Sequence, residues 1–540
     1  MSQEGKEEGE GVVDQKRVHG EQVHESRRSK SMHIQPKGFQ YVLTHEPDTS
    51  HVVIGVFPPT GLDEKGFSIG IPMGLLHSVA FLDEAGYRLQ LVDPRIDKNW
   101  RRTLRDAFAQ NKVKYFVVST MTGAQLCGAI EASKLAKELN PHVIVLWGGV
   151  HPSLLPHQTL NEPYIDYIAL NEGEETLLEL ISKLDAGEDI SDVKGIGYKD
   201  AEGKIQVNPE RDFIDLNETK SPPYHLLPPL HNYYLNLYNS IQTLSLNTGR
   251  GCPFRCGFCY NIQYNKKSWR ALEPKEIIRR VKELRDYGAK SVDLVDDMFF
   301  TSVSRVKEFV ELLEREDLHM NFLCNVRAHY IANMEQDFLN RMARVGFHEM
   351  FIGVETGSDE VMKLIKKDMT VESVLKANRK MKEAGIRPLY SFIGGFPGGE
   401  HMDHVFQTVD LMVKLISENP GASLTSLKIF TPFPGSELYN AAMKEGFVPP
   451  KTVEEWSTFN YNTQKYEWQT RTDRKLLKKL SYITYFLDQH SMSNITQNRI
   501  LKICINLYSK IVYWRCKHRF FTFTPEVFIM DHFYRMKFAD

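Results

Sequence analysis

Three cysteines, Cys252, Cys256 and Cys259, lie in one short segment with the spacing C-x3-C-x2-C, directly after an apolar stretch. Thiolates are soft ligands that suit iron–sulfur clusters. Three of them on one loop can bind three irons of a cubane and leave the fourth open to a small molecule. The alternatives are a zinc site and inert thiols. A closed zinc site commonly uses two ligand pairs, and no second pair follows in sequence, so the spacing favours a 4Fe–4S cluster.

The region that must position these cysteines runs from about 242 to 450, where β-rich segments alternate with helical ones. Six such β/α units predict a partial barrel, with the cysteines on the loop after its first strand. Catalytic groups of barrels lie at the carboxyl ends of the strands. The polar and small residues predicted at those ends are Asp296, Asp297, Asn325, Arg327, Glu355, Ser358, Gly394 and Gly395.

A second β/α alternation, over about 51–190, precedes the barrel and predicts a Rossmann-like, doubly wound parallel sheet. Such sheets bind ligands beyond the carboxyl ends of their strands. The candidate ligand-binding residues there are Ser119, Thr120, Gly148, Gly149, His151 and Glu172. The first strand-to-helix turn lacks G-x-G-x-x-G, which argues against a dinucleotide, and a domain of this fold without a ligand remains an alternative.

Three further segments complete the predicted organisation of this α/β chain. Residues 1–38 are polar and predict a disordered tail, and 191–241 predict a hairpin and a proline-rich linker. The helical and aromatic region 451–540 becomes strongly basic after Arg471, with 13 Lys or Arg against 5 Asp or Glu. Two interpretations stay open for it: packing on the barrel, or peripheral contact with an anionic membrane surface.

Composition excludes several classes of protein. The 540 residues carry a formal charge of -2, which argues against a general nucleic-acid binder, because phosphate affinity needs an excess of Lys and Arg. Seven cysteines, three of them clustered, do not form a disulfide framework. We therefore expect a reducing, low-oxygen, cytoplasmic setting, with the inner face of the membrane as the alternative site.

Several motifs together resemble one enzyme family. The cysteine spacing with the aromatic Phe258, and the later segments GVETGS, SFIGGFPGGE and TPFPGSELY, are similar to the cobalamin-binding branch of the radical S-adenosylmethionine (radical SAM) enzymes. GGVHPS and NEGE in the first domain also resemble this branch, and the similarity covers about residues 52–445. One departure is that the D-x-H-x-x-G motif, which supplies a histidine to cobalt in other cobalamin domains, is absent, since Pro152 follows His151.

The resemblance implies a set of cofactors and roles. Cys252, Cys256 and Cys259 would bind the 4Fe–4S cluster, whose open iron would bind S-adenosylmethionine for reductive cleavage to a 5'-deoxyadenosyl radical. Phe258 would touch the adenine, and Arg327 the methionine carboxylate. The remaining nucleoside contacts would come from Glu355, Ser358, Gly394 and Gly395. The first domain would bind cobalamin.

The two-domain layout implies a cobalamin-dependent C-methyltransferase acting on a small-molecule, natural-product or lipid substrate. An external one-electron reductant of the flavodoxin or ferredoxin type would serve it. Two alternatives stay open: a radical cyclase, oxidase or carbon–carbon bond-forming enzyme without methyl transfer, and a cobalamin or cluster sensor without turnover.

Overall fold

The computed structural model describes residues 43, 46–61, 63, 68–237, 240–459, 467–488, 498–522, 524 and 527. These residues belong to one compact unit that spans 37–540. The predicted polar tail, 1–38, lies outside the described residues.

The first sheet carries the β/α alternation predicted for 51–190, and the α/β fold class is confirmed. Its elements are β1 Val52–Val56, α1 Met73–Ala85, β2 Leu89–Val92, α2 Trp100–Gln110, β3 Val113–Thr120, α3 Gln125–Leu139, β4 Ile144–Gly149, α4 Val150–Leu154, α5 Pro156–Leu160, β5 Tyr167–Ala169, α6 Glu174–Ala186, β6 Ile196–Lys199 and β7 Ile205–Val207. The strand order is β2-β1-β3-β4-β5-β6-β7, parallel from β2 to β5. The carboxyl ends of β1 to β5 therefore meet at one edge.

The central strands β1, β3 and β4 are largely buried, which explains their nearly continuous apolar sequences. Val53 and Tyr115 belong to the core beneath α1 and α6, whereas their neighbours Ile54 and Phe116 belong to the core beneath α2 and α3. Side chains alternate between faces along a strand. Helices on both faces thus hold the strand ends in fixed positions.

The hairpin predicted next to the linker is part of the first sheet. β6 pairs antiparallel with β5, and β7 pairs with β6. Gly197 allows this pairing because a Cβ there would come within 2.9 Å of Ile168. The edge of the sheet is therefore extended by a segment that the sequence pattern placed outside it.

The second sheet is the predicted partial barrel. Its elements, together with three 3-10 turns before it and one within it, are Leu216–Glu218, Tyr224–Leu226, Leu230–Tyr233, β8 Leu235–Leu237, β9 Ser240–Leu246, β10 Gly249–Gly251, α7 Asn261–Tyr264, β11 Trp269–Ala271, α8 Pro274–Asp286, β12 Ser291–Leu294, Phe299–Thr301, α9 Val303–Glu316, β13 Asn321–Asn325, α10 Ala328–Asn333, α11 Gln336–Arg344, β14 Phe347–Glu355, α12 Asp359–Leu364, α13 Val371–Ala384, β15 Arg387–Gly394, α14 Met402–Glu418, β16 Ser423–Ile429 and α15 Glu437–Lys444. The order β16-β15-β14-β13-β12-β9-β8 is parallel except for β8, and the row curls without closing. β10 and β11 form a two-stranded ribbon outside it.

The described part of the C-terminal region is helical, and its helices are α16 Val453–Ser457, α17 Arg471–Thr484 and α18 Arg499–Lys517. α16 packs on α3, α17 packs on β16, and α18 packs on α14 and α17. Packing on the barrel, one of the two interpretations, is thus observed for this region. A search of the described residues found no helix both long and apolar enough to cross a bilayer.

Candidate active site

The cysteine loop is held at both ends. It connects β10 to α7, and the β10–β11 ribbon brings its start beside Trp269–Ala271. Gly251 has φ +83°, and a Cβ there would lie 2.2 Å from the carbonyl oxygen of Ser268, so only glycine fits. Further along, the Gly257 N–H donates to the Ile365 carbonyl and the Leu438 N–H donates to the Gly257 carbonyl, both at 2.8 Å. The loop therefore has one defined path across the barrel mouth.

Cys252 and Cys259 lie close enough to the other thiols of this loop for their own pKa values to be affected. Cys256 is buried, and Cys252 and Cys259 are partly buried. Burial raises the pKa of Cys252 and raises that of Cys259 to about 12, and the neighbouring cysteines and Asp297 add to both shifts. A bound cation reverses this preference, because a coordinating thiol is deprotonated outright. The donor set of three clustered thiols fits an iron–sulfur cluster.

Arg327 presents an incompletely satisfied guanidinium to this loop. It is buried at the N-terminal end of α10, lies 3.9 Å from the Phe254 ring centroid, and donates from Nη1 to the Cys256 Sγ over 3.4 Å. Its Nε and Nη2 are buried without a hydrogen-bond partner among the described residues. Leaving such donors unpaired is costly, and a carboxylate matches their geometry. The guanidinium is therefore positioned to bind an anionic ligand.

Glu355, at the end of β14, has an unusual backbone conformation. Its φ is +72°, a region that costs a non-glycine residue roughly 1–3 kcal/mol and is concentrated at functional sites. Its carboxylate forms a buried ion pair with Lys367 at 2.8 Å, and the Lys367 Nζ lies 5.5 Å from the Phe258 ring centroid. Gly353 makes room for the pair, since a Cβ there would come within 2.4 Å of the Glu355 carboxylate. The geometry connects Glu355 to the aromatic residue of the cysteine loop.

The other predicted nucleoside contacts have structural partners as well. The Ser358 hydroxyl caps α12 by accepting the Val361 N–H. Gly394 ends β15 against Leu427 and Leu477. Gly395 has φ +88°, donates its N–H to Glu400, and accepts hydrogen bonds from Trp468 and Gln469 at its carbonyl. Their roles as cofactor contacts stay predictions.

Asp296 and Asp297 brace the segment before the first cysteine. The buried carboxylate of Asp296 accepts from the N–H groups of Thr248 and Gly249 and from the Thr248 hydroxyl. Asp297 accepts from the Gly251 N–H at 3.0 Å. These bonds fix the ribbon from which the cysteine loop starts.

A cavity of about 430 Å³ separates the carboxyl edge of the first sheet from the cysteine loop. Its lining is Met73, Gly74, His77, Ser78, Val117, Val118, Ser119, Met121, Gly148, Gly149, Ala169, Asn171, Glu172, Gly173, Glu174, Leu177, Asn247, Arg250, Tyr260, Tyr264, Asn265, Val295 and Asp297. Tyr260 directly follows Cys259, so cavity and cysteine loop are adjacent. Small residues on the sheet side leave room for a flat ligand above the strand ends. A larger cavity, about 630 Å³, lies between α1 and α8, and its lining includes neither a strand end of the first sheet nor a residue of the cysteine loop.

The first-domain candidates separate into two groups. Ser119, Gly148, Gly149 and Glu172 line this cavity, whereas Thr120 and His151 do not. The Thr120 hydroxyl donates to the Gly148 carbonyl at 3.0 Å. His151 is fully buried and its Nδ1 lies 3.0 Å from the Thr122 hydroxyl, while burial lowers its pKa to about 3. An imidazole with this pKa is neutral at pH 7, and its Nε2 is buried without a hydrogen-bond partner among the described residues.

An ion-pair network crosses the cavity wall, and sequence reasoning missed it. Arg250 donates to Glu172 at 2.7 Å and to Glu174 at 2.6 Å, and Arg270 donates to Glu172 at 2.9 Å. Burial lowers the pKa of Arg250, but the two glutamates outweigh that effect and raise it. Glu172 therefore joins the first sheet to the β10–β11 ribbon.

Other cavity residues carried a weaker sequence signal. His77, on α1, has a Nε2 buried without a partner among the described residues, and burial lowers its pKa far below the ordinary value. Tyr260 and Tyr264 follow the last cysteine at helical spacing, which could have indicated a shared wall. The Tyr264 hydroxyl donates to the Asn171 carbonyl at 2.8 Å, so α7 also contacts the first domain.

Two family profiles match the chain. Residues 63–181 match the B12 binding domain and 246–412 match the radical SAM superfamily. An uncharacterized methyltransferase of Pyrococcus horikoshii is 27% identical over 444 residues, 81% of this chain and 92% of that protein. Cytidylyl-2-hydroxyethylphosphonate methyltransferase of Streptomyces wedmorensis is 24% identical, covering 70% and 79%. An anaerobic magnesium-protoporphyrin IX monomethyl ester cyclase of Rubrivivax gelatinosus is 26% identical, covering 57% and 54%.

The solved structures contain the same fold. OxsB, described as a cobalamin-dependent S-adenosylmethionine radical enzyme and solved with aqua-cobalamin and S-adenosylmethionine bound, matches with a TM-score of 0.69 at 17% identity. The match covers 90% of this chain and 75% of that one. The arrangement of a first sheet followed by a curled second sheet is therefore shared over nearly the whole chain.

Proposed function

Because this chain belongs to the radical SAM proteins that carry a B12-binding domain, we propose that it is a cobalamin-dependent C-methyltransferase. The single observation that carries the proposal is the cavity shared by the two domains: the strand ends of the first sheet form one side of it, and Tyr260 of the cysteine loop forms another. A methyl donor and a radical generator would thus face a common space. The proposed substrate class is a small molecule, natural product or lipid.

Three cofactors are implied by the two domains: a 4Fe–4S cluster, S-adenosylmethionine and cobalamin. When bound, the reduced cluster supplies the electron that cleaves S-adenosylmethionine to a 5'-deoxyadenosyl radical, and cobalamin supplies the methyl group. Cys252, Cys256 and Cys259 would hold the cluster.

The remaining role of the chain is to orient the cofactors and the substrate and to exclude water from the cavity. The Nε and Nη2 atoms of Arg327 have no hydrogen-bond partner among the described residues. They would bind the methionine carboxylate as a fork. Glu355, paired with Lys367, would bind a polar group of the nucleoside, with Phe258 against the adenine. Tyr260, Tyr264 and the Arg250 network would close the side of the cavity.

Cobalamin would rest on the strand ends of the first sheet. Ser119, Gly148 and Gly149 line that side of the cavity and carry little side-chain bulk. His151 does not line the cavity. We therefore expect no cobalt ligand from His151, in agreement with the missing D-x-H-x-x-G motif.

A second candidate function is radical ring closure or oxidation without methyl transfer. The similarity to the magnesium-protoporphyrin ester cyclase supports it, although that match covers 57% of this chain against 81% for the Pyrococcus methyltransferase. Either reaction would need an external one-electron donor of the flavodoxin or ferredoxin type.

One experiment separates these functions before a substrate is known. The protein would be purified without oxygen, supplied with iron, sulfide and hydroxocobalamin, and assayed for bound metals. S-adenosylmethionine and a one-electron reductant would follow. A methyltransferase should bind about four irons and cobalt, release 5'-deoxyadenosine, and form S-adenosylhomocysteine as its reduced cobalamin takes a methyl group from S-adenosylmethionine.

The control is the triple variant Cys252→Ala, Cys256→Ala, Cys259→Ala, which should lose iron and 5'-deoxyadenosine together. Release of 5'-deoxyadenosine with cobalt bound but no S-adenosylhomocysteine would contradict methyl transfer and favour the cyclase type of reaction. Cofactor binding without any cleavage of S-adenosylmethionine would indicate the sensor.

A further inference from the structure

α18 exposes a continuous apolar stripe that the proposed chemistry does not use. Ile500, Ile503, Leu507, Ile511 and Trp514 are 73%, 59%, 57%, 53% and 53% exposed. Their spacings of three and four residues place them on one face of the helix. Single exposed apolar residues are common, but a contiguous row of this kind marks an interaction surface.

The stripe is not the face by which α18 is attached to the protein. Val512 and Cys516, on another side of the helix, are fully buried. Tyr508 packs edge-on against Phe486 with ring centroids 5.1 Å apart, and Phe521 beyond the helix stacks on Phe406 at 6.1 Å. α18 is therefore docked on α14 and α17 and still has an apolar face left over.

The charge beside the stripe has one sign. Residues 498–522 contain six Lys or Arg and no Asp or Glu. Arg499, Lys510 and Lys517 are exposed and, at 100° per residue, fall along the same border of the stripe. One cation of the segment outside that border, Arg519, is paired with Asp410. A row of cations next to a row of large apolar side chains is complementary to a surface that is anionic outside and apolar beneath.

We propose that α18 lies in the plane of an anionic membrane surface, with the apolar stripe at the boundary of the acyl chains and the border cations among the lipid phosphates. The stripe is a ridge about 21 Å long, from the 1.5 Å rise per helical residue, rather than a groove. A ridge of this form suits a flat surface. Trp514, at one end, is a residue type enriched at membrane interfaces.

The test is co-sedimentation of the full chain with vesicles of phosphatidylcholine alone and of phosphatidylcholine mixed with phosphatidylglycerol. We expect binding to the mixed vesicles only, weakened by added salt. Lys510→Gln with Lys517→Gln should weaken it roughly 25-fold, about fivefold for each cation. Ile503→Ser with Leu507→Ser and Trp514→Ala should weaken it at least about tenfold. All five side chains are exposed, so the variants should keep the wild-type melting temperature.

The controls place the same two lysine changes, and two comparable apolar changes, on other exposed positions: Lys275→Gln with Lys376→Gln, and Ile241→Ser with Val448→Ser. They should bind mixed vesicles as the wild type does. Equal binding to neutral and mixed vesicles, or equal loss in the control variants, would overturn the proposal. Absence of vesicle binding would also overturn it, and sedimentation velocity would then show whether the stripe joins two copies, since the apolar variant would dissociate such a dimer.

Discussion

The guanidinium of Arg250 donates to the carboxylate of Glu172 over 2.7 Å, although the two residues are 78 positions apart in sequence. Arg250 lies two residues before Cys252, and Glu172 lies at the carboxyl edge of the first sheet. This pair therefore links the place where a cluster would bind to the place where cobalamin would bind. A change at either residue should disturb the geometry between the two cofactors.

The first prediction concerns this link. Arg250→Ala should lower the free energy of unfolding by about 3 kcal/mol, since it removes the arginine paired with the buried Glu174 and leaves Glu172 with Arg270 alone. It should also reduce cobalt content more than iron content, because the cysteines remain. Chemical unfolding and metal analysis check both effects. Arg101→Ala is the control: it breaks the exposed pair with Glu131, and we expect a change below about 1 kcal/mol.

The second prediction concerns Arg327. Arg327→Ala should weaken binding of S-adenosylmethionine by roughly 10- to 100-fold, the equivalent of one charge-assisted contact. Arg327→Lys should recover only part of it, because an ammonium lacks the planar fork. Equilibrium binding to the iron-loaded protein measures this. Arg255, also in the cysteine loop but exposed and paired with Asp368, supplies the control: Arg255→Ala should bind normally. Unchanged affinity in Arg327→Ala would remove the proposed carboxylate contact.

The third prediction concerns the floor of the cavity. Gly149 has φ +97°, and a Cβ there would lie 2.4 Å from the Thr120 carbonyl oxygen. Gly149→Ala should push β3 and β4 apart, weaken cobalamin binding at least about tenfold, and destabilise the fold by roughly 1–3 kcal/mol. Iron loading should persist. Gly86→Ala also places a side chain at positive φ, but in the left-handed helical region and without a clash, because nothing lies within 4 Å of its Cβ. This variant should bind cobalamin like the wild type.

The sequence pattern predicted what depends on local periodicity. It located both sets of strands, the cysteine loop after β9 and the small residues at the ends of β3 and β4, because buried strands and tight turns restrict residue type locally. It also predicted Glu172 as a cofactor residue from its place at a strand end. The structure shows that carboxylate paired with two arginines from the β10–β11 ribbon. A long-range pair of this kind leaves no periodic signal in a single sequence.

The features that the sequence did not predict were missed for the same reason, because they depend on contacts between distant parts of the chain. The hairpin β6–β7 joins the first sheet through pairing with β5, which no turn signal reveals. The exposed stripe of α18 was visible as an apolar, basic segment, but which of its faces was already buried depended on contacts with α14 and α17. The sequence around Arg250, which lies between two glycines, does not predict its partners. The fold places Glu172 and Glu174 beside it.

The fourth prediction concerns pH. Burial lowers the pKa of His151 to about 3 in the folded protein, against an ordinary value near 6.5. Below pH 6.5 the unfolded chain binds a proton at this histidine, and the folded protein does not. The free energy of unfolding therefore falls as pH decreases from about 6.5 to about 3. Between pH 7 and pH 5 this single group should cost about 2 kcal/mol.

Unfolding of the wild type and of His151→Gln at both pH values isolates that contribution, because the other titrating groups are common to the two proteins. Gln can still accept from the Thr122 hydroxyl but does not titrate. We expect the variant to be the less stable protein at pH 7 and to lose about 2 kcal/mol less than the wild type on going to pH 5. An equal loss of stability in both proteins would mean that His151 is hydrated or paired in solution. That result would contradict the interpretation of His151 as a buried, neutral imidazole.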